Sequence, residues 1–261
     1  MAPKIIARNV GKVYETSRGQ VEALVDFSLE VEEGEFVCIV GPSGCGKSTF
    51  LRILAGLEPL TSGEYQIAPG DDPNKPLNNV VFQEYAIFPW KTVIENVAFG
   101  LQMRGVPKRE RTAIAMDWLE RVGLRKFADH YPGQISGGMK QRVSIARALA
   151  NDPEVLLMDE PLGALDAQTR TVMQEELMRI WEETRKTVVY ITHSIEESVF
   201  LGDRVVLMTA HPGTLKEIFP VDLPRPRSHE TTATPAYAEL TYAIWQSLQG
   251  EVMRAMQEQQ A

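Results

Sequence analysis

Residues 41–49 have the composition of a loop that holds phosphate groups. They are Gly41, Pro42, Ser43, Gly44, Cys45, Gly46, Lys47, Ser48 and Thr49, and they match the pattern G-x-x-x-x-G-K-[ST] at every fixed position. The glycines let successive backbone N–H groups turn towards phosphates, Lys47 adds charge at the β- and γ-phosphates, and Ser48 offers a hydroxyl to Mg²⁺. The pattern predicts a site for a nucleoside triphosphate with Mg²⁺.

Two adjacent carboxylates follow the apolar run 155–158. Asp159 is expected to hold Mg²⁺, directly or through water, and Glu160 to polarise an attacking water molecule. Seen alone, such a pair would also fit a plain strand end or a helix N-cap. The complete phosphate loop earlier in the chain favours the metal and water roles.

The elements that position these residues follow from apolar patterning. Residues 36–40 are continuously apolar and run directly into Gly41, which predicts a strand covered on both faces, and a helix is expected from Thr49 to Gly56. A glycine-rich turn with an incidental lysine is the alternative for the loop, and these flanks disfavour it. Further strands are expected at 80–82, 155–158, 188–192 and 205–208, the last three buried and parallel, with a helix that carries Met173, Leu177, Ile180 and Trp181 between them.

Other segments have different textures. Residues 5–10 and 21–31 predict antiparallel strands broken at Gly11, Ser17 and Gly19, and residues 84–150 predict a mainly helical insert, with Ala115, Trp118, Leu119 and Val122 at helical spacing. A segment rich in Pro and Gly, 212–226, precedes a closing amphipathic helix that carries Tyr237, Leu240, Ile244 and Leu248. We expect an α/β fold with two parts, a nucleotide-binding domain over 4–230 and a helical extension over 231–261.

Residues 135–142, Ile-Ser-Gly-Gly-Met-Lys-Gln-Arg, closely resemble the signature L-S-G-G-Q of ABC ATPases. The resemblance covers about residues 4–220 and implies a P-loop NTPase core with an antiparallel β layer. It implies that Ser136 and the amides of Gly137 and Gly138 contact the γ-phosphate of ATP in a second copy. Met139 stands where the family usually has Gln, so a side-chain contact is removed there while the backbone contacts remain.

Four further residues match the family in order along the chain. Gln83 resembles the glutamine that touches Mg²⁺ or the attacking water, Asp166 lies in a segment like the D-loop, and His193 resembles the switch histidine at the γ-phosphate. Tyr14 lies where the family places an aromatic ring on adenine. Each of these residues also has a purely structural alternative. Gln83 could be a surface residue, and Asp166 could be the N-cap of the following helix. His193 could be a hydrogen-bonded polar residue at the end of a strand, and Tyr14 could pack in the core.

The resemblance also implies partners. A helix cannot present its own signature to its own phosphate loop across the domain, so two chains are expected to face head to tail with two ATP molecules between them. ATP binding would close this dimer and hydrolysis would reopen it. Separate transmembrane permease subunits would receive this movement on the cytoplasmic face of the membrane. Residues 88–93, Phe-Pro-Trp-Lys-Thr-Val, are the candidate docking surface, with core packing of Phe88 and Trp90 as the alternative.

Two stretches, 88–97 and 218–227, look like the importers of nitrate, sulfonates and taurine. This likeness implies transport of a small anion that an extracytoplasmic solute-binding protein would select. The role of the C-terminal helix stays open between a dimer contact, a regulatory contact and simple packing.

The sequence also disfavours several other classes of protein. A net charge of −8 opposes nucleic-acid binding, and no run of about 18 apolar residues predicts a membrane span. The N-terminal residues do not predict a signal peptide, and the two cysteines, Cys38 and Cys45, fit a reduced cytoplasmic setting. A chromosome-organising ABC protein would need a coiled-coil insertion and a basic surface, a translation factor would need two cassettes, and a purely regulatory module would ordinarily lose Glu160 or His193.

Overall fold

The computed structural model describes residues 3–17 and 19–258, which form two compact units. The first unit contains the described residues up to Ala68 together with those from Thr184 onward, and the second unit is Pro69–Glu183. The phosphate loop and His193 belong to the first unit, whereas Gln83, the signature, the carboxylate pair and Asp166 belong to the second.

Strands and helices alternate along much of the chain. In chain order they are β1 (Pro3–Thr16), β2 (Gly19–Glu32), β3 (Phe36–Val40), α1 (Lys47–Leu54), β4 (Ser62–Ile67), β5 (Asn78–Val81), α2 (Val93–Val97), α3 (Phe99–Met103), α4 (Lys108–Arg121), α5 (Gly137–Ala150), β6 (Val155–Asp159), α6 (Ala167–Thr184), β7 (Thr187–Ile191), α7 (Ile195–Leu201), β8 (Arg204–Met208), β9 (Leu215–Pro220) and α8 (Pro235–Glu258). Short 3-10 turns cover Arg125–Phe127, Pro132–Gln134 and His229–Ala233.

The first unit begins with an antiparallel sheet in the order β2-β1-β4, as the sequence predicts. The expected break at Gly11 is wrong, because β1 continues through this residue to Thr16 and the register shifts around it. A Cβ built on Gly11 would lie 2.3 Å from the side-chain oxygen of Ser62. The glycine therefore marks a bulge against β4 rather than a strand end.

A second set of strands in this unit includes β3, which leads directly into the phosphate loop. β3 pairs in parallel with β7 on one side and with β8 on the other, and all five residues of β3 are buried. β9 pairs antiparallel with β8. The Pro- and Gly-rich composition of 212–226 conceals this strand, since only 215–220 is extended and all six of its residues are exposed or half-buried.

The second unit combines a parallel strand pair with helices. β5 pairs with β6, whose five residues are buried, and the four helices α2 to α5 fall within residues 93–150, inside the predicted helical insert. Helix α6 buries Met173, Leu177, Ile180 and Trp181, the face that the spacing predicts. The division at residue 230 into domain and extension stays a prediction.

The structure confirms the predicted α/β fold with an antiparallel layer. The closing helix α8 runs through Gly250 and buries Tyr237, Ile244 and Leu248, so packing within the first unit accounts for its inner face. Within residues 3–17 and 19–258, no helix combines the length and the apolar character needed to cross a bilayer.

Candidate nucleotide site

The phosphate loop connects the buried strand β3 to helix α1, which begins at Lys47 rather than at Thr49. Gly44 and Gly46 have φ angles of +80° and +98°, which side chains other than glycine rarely adopt. A Cβ on Gly46 would also lie 2.6 Å from the carbonyl oxygen of Ala23. These glycines therefore let the backbone turn sharply into the N-terminus of α1, where free N–H groups and the helix dipole favour an anion.

The Lys47 ammonium is held inside the loop. Its side chain is buried, and Nζ donates hydrogen bonds to the carbonyl oxygens of Gly41 at 2.9 Å and Pro42 at 2.8 Å. Ser48 and Thr49 follow in the first turn of α1 and are half-buried. The loop therefore keeps one positive charge next to its own backbone, which suits it to phosphate groups.

Cys45 supports the loop from behind. Its thiol is buried, and burial raises the pKa of the thiol although the nearby Lys47 acts in the opposite direction. The thiol is therefore kept in its neutral form, which acts as a small packing group. Gly213, which no sequence motif singles out, lies against this residue, because a Cβ there would come within 1.9 Å of the Cys45 carbonyl oxygen.

His193 lies between the end of β7 and the start of α7, and its side chain is exposed. The buried Thr192 hydroxyl donates to the carboxylate of the buried Glu197, and the N–H of Ser194 donates to Thr192 Oγ1 at 3.1 Å. Ser194 Oγ accepts the N–H of Glu197 and caps α7. Sequence reasoning missed this cluster around the histidine, although Ser194 followed by Glu197 is the pattern of a helix start.

Tyr14 is half-buried near the end of β1, so full core packing does not describe it. The ammonium of Lys12 lies 4.8 Å from the centre of its ring and also contacts Glu58 and the Pro59 carbonyl. A cation therefore sits on the ring. Stacking of Tyr14 on adenine stays a prediction.

In the second unit, strand β6 carries the two carboxylates. Asp159 ends the strand and is buried, and Glu160 follows with a φ of +45°. That backbone conformation is uncommon for a residue other than glycine. The Glu160 carbonyl accepts the N–H of Gly163 at 3.1 Å, which fixes a tight turn immediately after the strand.

A groove of about 720 Å³ lies beside this turn, within the second unit. Gln83 is exposed at its edge, and a Cβ built on Gly163 would lie 3.8 Å from Gln83 Nε2. The lining residues are Gln83, Glu84, Tyr85, Ala86, Ile87, Pro89, Pro132, Gly133, Lys140 and Ala164. Gln83 thus lies near the Glu160 turn, and its contact with metal or water stays a prediction.

The signature residues form the N-terminus of helix α5. Ser136 is the N-cap, and its Oγ accepts the N–H of Met139 at 3.3 Å. Gly137 and Gly138 are closely approached by other side chains, since Cβ atoms there would lie 2.8 Å from the Tyr85 hydroxyl and 3.0 Å from Thr169, and those side chains would have to shift to admit a larger residue. Tyr85 was missed as a neighbour of the signature, because its contact with Gly137 depends on the fold.

Asp166 precedes helix α6 and caps it. Its Oδ1 accepts the N–H of Thr169 at 3.0 Å, and this bond holds the pKa of the carboxyl below its usual value. The capping role left open by the sequence is therefore present. A role for Asp166 across a dimer interface stays a prediction.

The proposed docking stretch is only partly packed. Phe88 is half-buried with its ring 4.5 Å from that of Phe99, whereas the Trp90 side chain is 72% exposed. Asn96 holds the turn by donating to the carbonyls of Phe88, Lys91 and Thr92 and accepting the N–H of Phe88. Core packing therefore does not explain Trp90.

Comparisons with known proteins agree on one family. The model described as ABC transporter matches residues 24–163. The bicarbonate transport ATP-binding protein CmpD of Synechocystis sp. is 48% identical over 90% of this chain and 86% of its own length. The nitrate import ATP-binding protein NrtD of Synechocystis sp. is 46% identical over 83% of this chain and 82% of its own length.

Among solved structures, a dimeric ATP-binding cassette in a post-hydrolysis state with ADP and Pi has a TM-score of 0.73 and 36% identity. The match covers 83% of this chain and 98% of that one. The family model and the curated relatives lead to the same assignment as the loop and signature geometry. This chain belongs to the ATP-binding proteins of ABC transporters, and it is an ATPase.

Proposed function

We propose that this ATPase drives an importer for a small anion of the nitrate, sulfonate or taurine class. Two copies face head to tail, and separate permease subunits hold them at the cytoplasmic face of the membrane. An extracytoplasmic binding protein selects the solute. The observation that carries this proposal is the 46% and 48% identity to ATP-binding proteins of nitrate and bicarbonate transport, both over more than four fifths of the chain.

Residues of the chain itself supply ATP binding in this proposal. The amides of residues 43–49 and the ammonium of Lys47 hold the phosphates, and the ring of Tyr14 supports the adenine. The buried position of Lys47 and the positive φ angles of Gly44 and Gly46 support these roles.

Magnesium suits the oxygen donors that are present. The hydroxyl of Ser48, the carboxylate of Asp159 and the amide oxygen of Gln83 are the hard ligands that Mg²⁺ prefers, and each is proposed as a ligand. When bound, Mg²⁺ neutralises charge on the β- and γ-phosphates. The burial of Asp159 at the end of β6 keeps its carboxylate in a fixed place.

Hydrolysis is proposed to use three side chains. Glu160 orients and polarises the attacking water, His193 contacts the γ-phosphate and Gln83 senses the metal or the water. The turn after β6 supports the role of Glu160, because its uncommon backbone angle sets the direction in which the side chain leaves the strand.

The dimer follows from the separate motifs. Each chain has one phosphate loop and one signature, so two copies would form two complete sites. Ser136, Gly137 and Gly138 of one copy would hold the γ-phosphate at the loop of the other, with Asp166 at the seam. The dimeric cassette that resembles this chain supports such an arrangement.

The anion assignment is tested by reconstituting the chain with its permease subunits and binding protein in vesicles. ATP hydrolysis is measured with nitrate, bicarbonate, taurine or an alkanesulfonate supplied on the binding-protein side. We expect one of these anions to stimulate hydrolysis and to accumulate in the compartment that contains the ATPase. Stimulation by a sugar or a cation, with no response to any of the anions, would overturn the proposal.

A further inference from the structure

The C-terminal helix contacts the segment that carries His193. Tyr237 lies in the first turn of α8 with its side chain buried, and its hydroxyl donates a hydrogen bond of 2.8 Å to the Glu196 carbonyl. Glu196 lies in the first turn of α7, three residues after His193. One hydroxyl therefore joins α8 to the start of the helix that follows the histidine.

This hydroxyl remains a donor over a wide pH range. Burial, with a smaller contribution from the charge of Glu196, raises the pKa of Tyr237 to about 12. The phenol is therefore protonated at every pH at which the ATPase would be assayed. The bond to Glu196 is not a titrating contact.

The start of α7 is also fixed from within. Ser194 caps the helix, and the buried pair of Thr192 and Glu197 holds the backbone on either side of His193. These contacts define the local conformation of residues 192–197. They do not define how the whole helix is placed on β3, which depends on its outer contacts.

The far end of α7 is held by two arginines from the segment after β9. Arg227 is buried and donates to the carbonyls of Val199, Phe200 and Gly202. Arg225 donates to the Leu201 carbonyl and pairs with Asp203. These donors satisfy carbonyl groups that are unpaired at a helix C-terminus, and their charge favours that end of the dipole.

Helix α7 is therefore held at both ends by residues that lie after β9. We propose that Tyr237 is a positioning residue for His193, which it acts on through the Glu196 carbonyl while the arginines fix the opposite end of the helix. The inference rests on the proposed function, in which His193 contacts the γ-phosphate. It assigns the C-terminal helix a role in hydrolysis in addition to packing.

The test uses Tyr237→Phe, which removes one oxygen and keeps the ring. Loss of a single positioning hydrogen bond is expected to lower kcat about 3- to 10-fold with KM for ATP unchanged. In a His193→Ala background the same change is expected to have no further effect on the residual rate. Tyr242→Phe is the matched control, because Tyr242 lies on the same helix with its side chain exposed, and its rate should equal that of the parent.

A second measurement follows the histidine directly. The chain has four histidines, so its imidazole resonances can be assigned by single substitutions. In Tyr237→Phe the His193 signal should shift, and in Tyr242→Phe it should stay in place. This readout decides the matter if His193→Ala has no measurable rate.

The outcomes separate the two proposals. If Tyr237→Phe lowers the rate by the same factor with or without His193, or leaves the His193 resonance unmoved, the positioning role is wrong. If His193→Ala hydrolyses ATP at the parent rate, the proposed role of the histidine fails instead. A thermal unfolding curve for each variant confirms that the proteins compared are folded.

Discussion

Gly213 shows how a residue without reactive groups can shape the nucleotide site. Its N–H donates to the Ala23 carbonyl and its carbonyl accepts the N–H of Val25, so it is tied to β2. On its other side it faces the backbone of Cys45, with no room for a Cβ. The backbone of the phosphate loop at Cys45 is therefore in direct contact with the turn that follows β8.

Gly213→Ala should disturb this contact. The added methyl group would meet a backbone carbonyl, which cannot rotate away as a side chain can, so either the loop or the turn must shift. We expect a loss of about 1–3 kcal/mol in the free energy of unfolding and a rise in KM for ATP. Urea unfolding and steady-state hydrolysis measure the two effects.

Gly250→Ala is the control for this substitution. Gly250 lies within α8 and a Cβ there would have nothing within 4 Å, so alanine should stabilise the helix by about 0.5–1 kcal/mol. Its KM for ATP should match that of the parent. Equal stability changes in the two variants would contradict the steric argument.

Lys47 can be assigned to the nucleotide site from the sequence alone, whereas Gly213 cannot. The loop residues 41–49 are constrained by local backbone geometry and by a fixed spacing to the helix, so their pattern is readable along the chain. Gly213, Tyr85 and Tyr237 act through contacts with residues far away in sequence. Neither the residue types nor the neighbouring sequence predicts those contacts.

Among the elements, strands β3, β6, β7 and β8 are apolar at nearly every position, and the sequence predicts each of them from that apolar run. The sequence does not predict strand β9, which pairs with β8 at the edge of its sheet and has mostly exposed side chains. Alternation and apolar runs therefore give little signal there. Its arginine-rich continuation has a structural purpose that appears only in the fold, where it closes the end of α7.

Helix α8 is anchored by a buried carboxylate. Glu251 is buried, accepts the N–H of Ala210 at 2.9 Å and pairs with Lys216 at 2.8 Å. Burial acts against its charge, but the bonds from Lys216 and Ala210 outweigh it and hold the pKa of Glu251 below its usual value. The charged form is therefore favoured by folding.

Glu251→Gln should weaken the attachment of α8. The amide keeps one acceptor and loses the charge, so at pH 7 the free energy of unfolding should fall by about 1–2 kcal/mol. Since the folded-state pKa is lowered, the stabilisation is present above the unfolded-state pKa and disappears as pH falls through the folded-state value. The difference between parent and variant in urea unfolding should therefore narrow below about pH 4.5.

Glu239→Gln provides the comparison for this effect, because Glu239 is exposed on the same helix. Its free energy of unfolding should stay within about 0.5 kcal/mol of the parent value across the same pH range. A gap between Glu251→Gln and the parent that stays constant down to pH 3 would show that the charge of Glu251 is not what stabilises the helix.

For the whole molecule, the central expectation is that ATP joins two chains. The phosphate loop and the signature each end in a helix N-terminus, at α1 and α5, and each presents glycine amides. Both can hold an anion, so a triphosphate shared by two copies would have positive dipole ends on both sides. Association should therefore depend on the γ-phosphate and disappear when hydrolysis removes it.

Glu160→Gln isolates this dependence. The substitution removes the carboxylate that would polarise water, so the variant should bind ATP with Mg²⁺ without hydrolysing it and should remain a dimer in analytical ultracentrifugation. It should be monomeric with ADP. Glu175→Gln is the control, because Glu175 is exposed on α6, and this variant should hydrolyse ATP at the parent rate. Adding Lys47→Ala to Glu160→Gln should abolish the dimer, because Lys47 is needed to hold the phosphates. If Glu160→Gln hydrolyses ATP like the parent, Glu160 is not the catalytic base; if it stays monomeric at saturating ATP even with the permease subunits present, the two copies do not share a nucleotide.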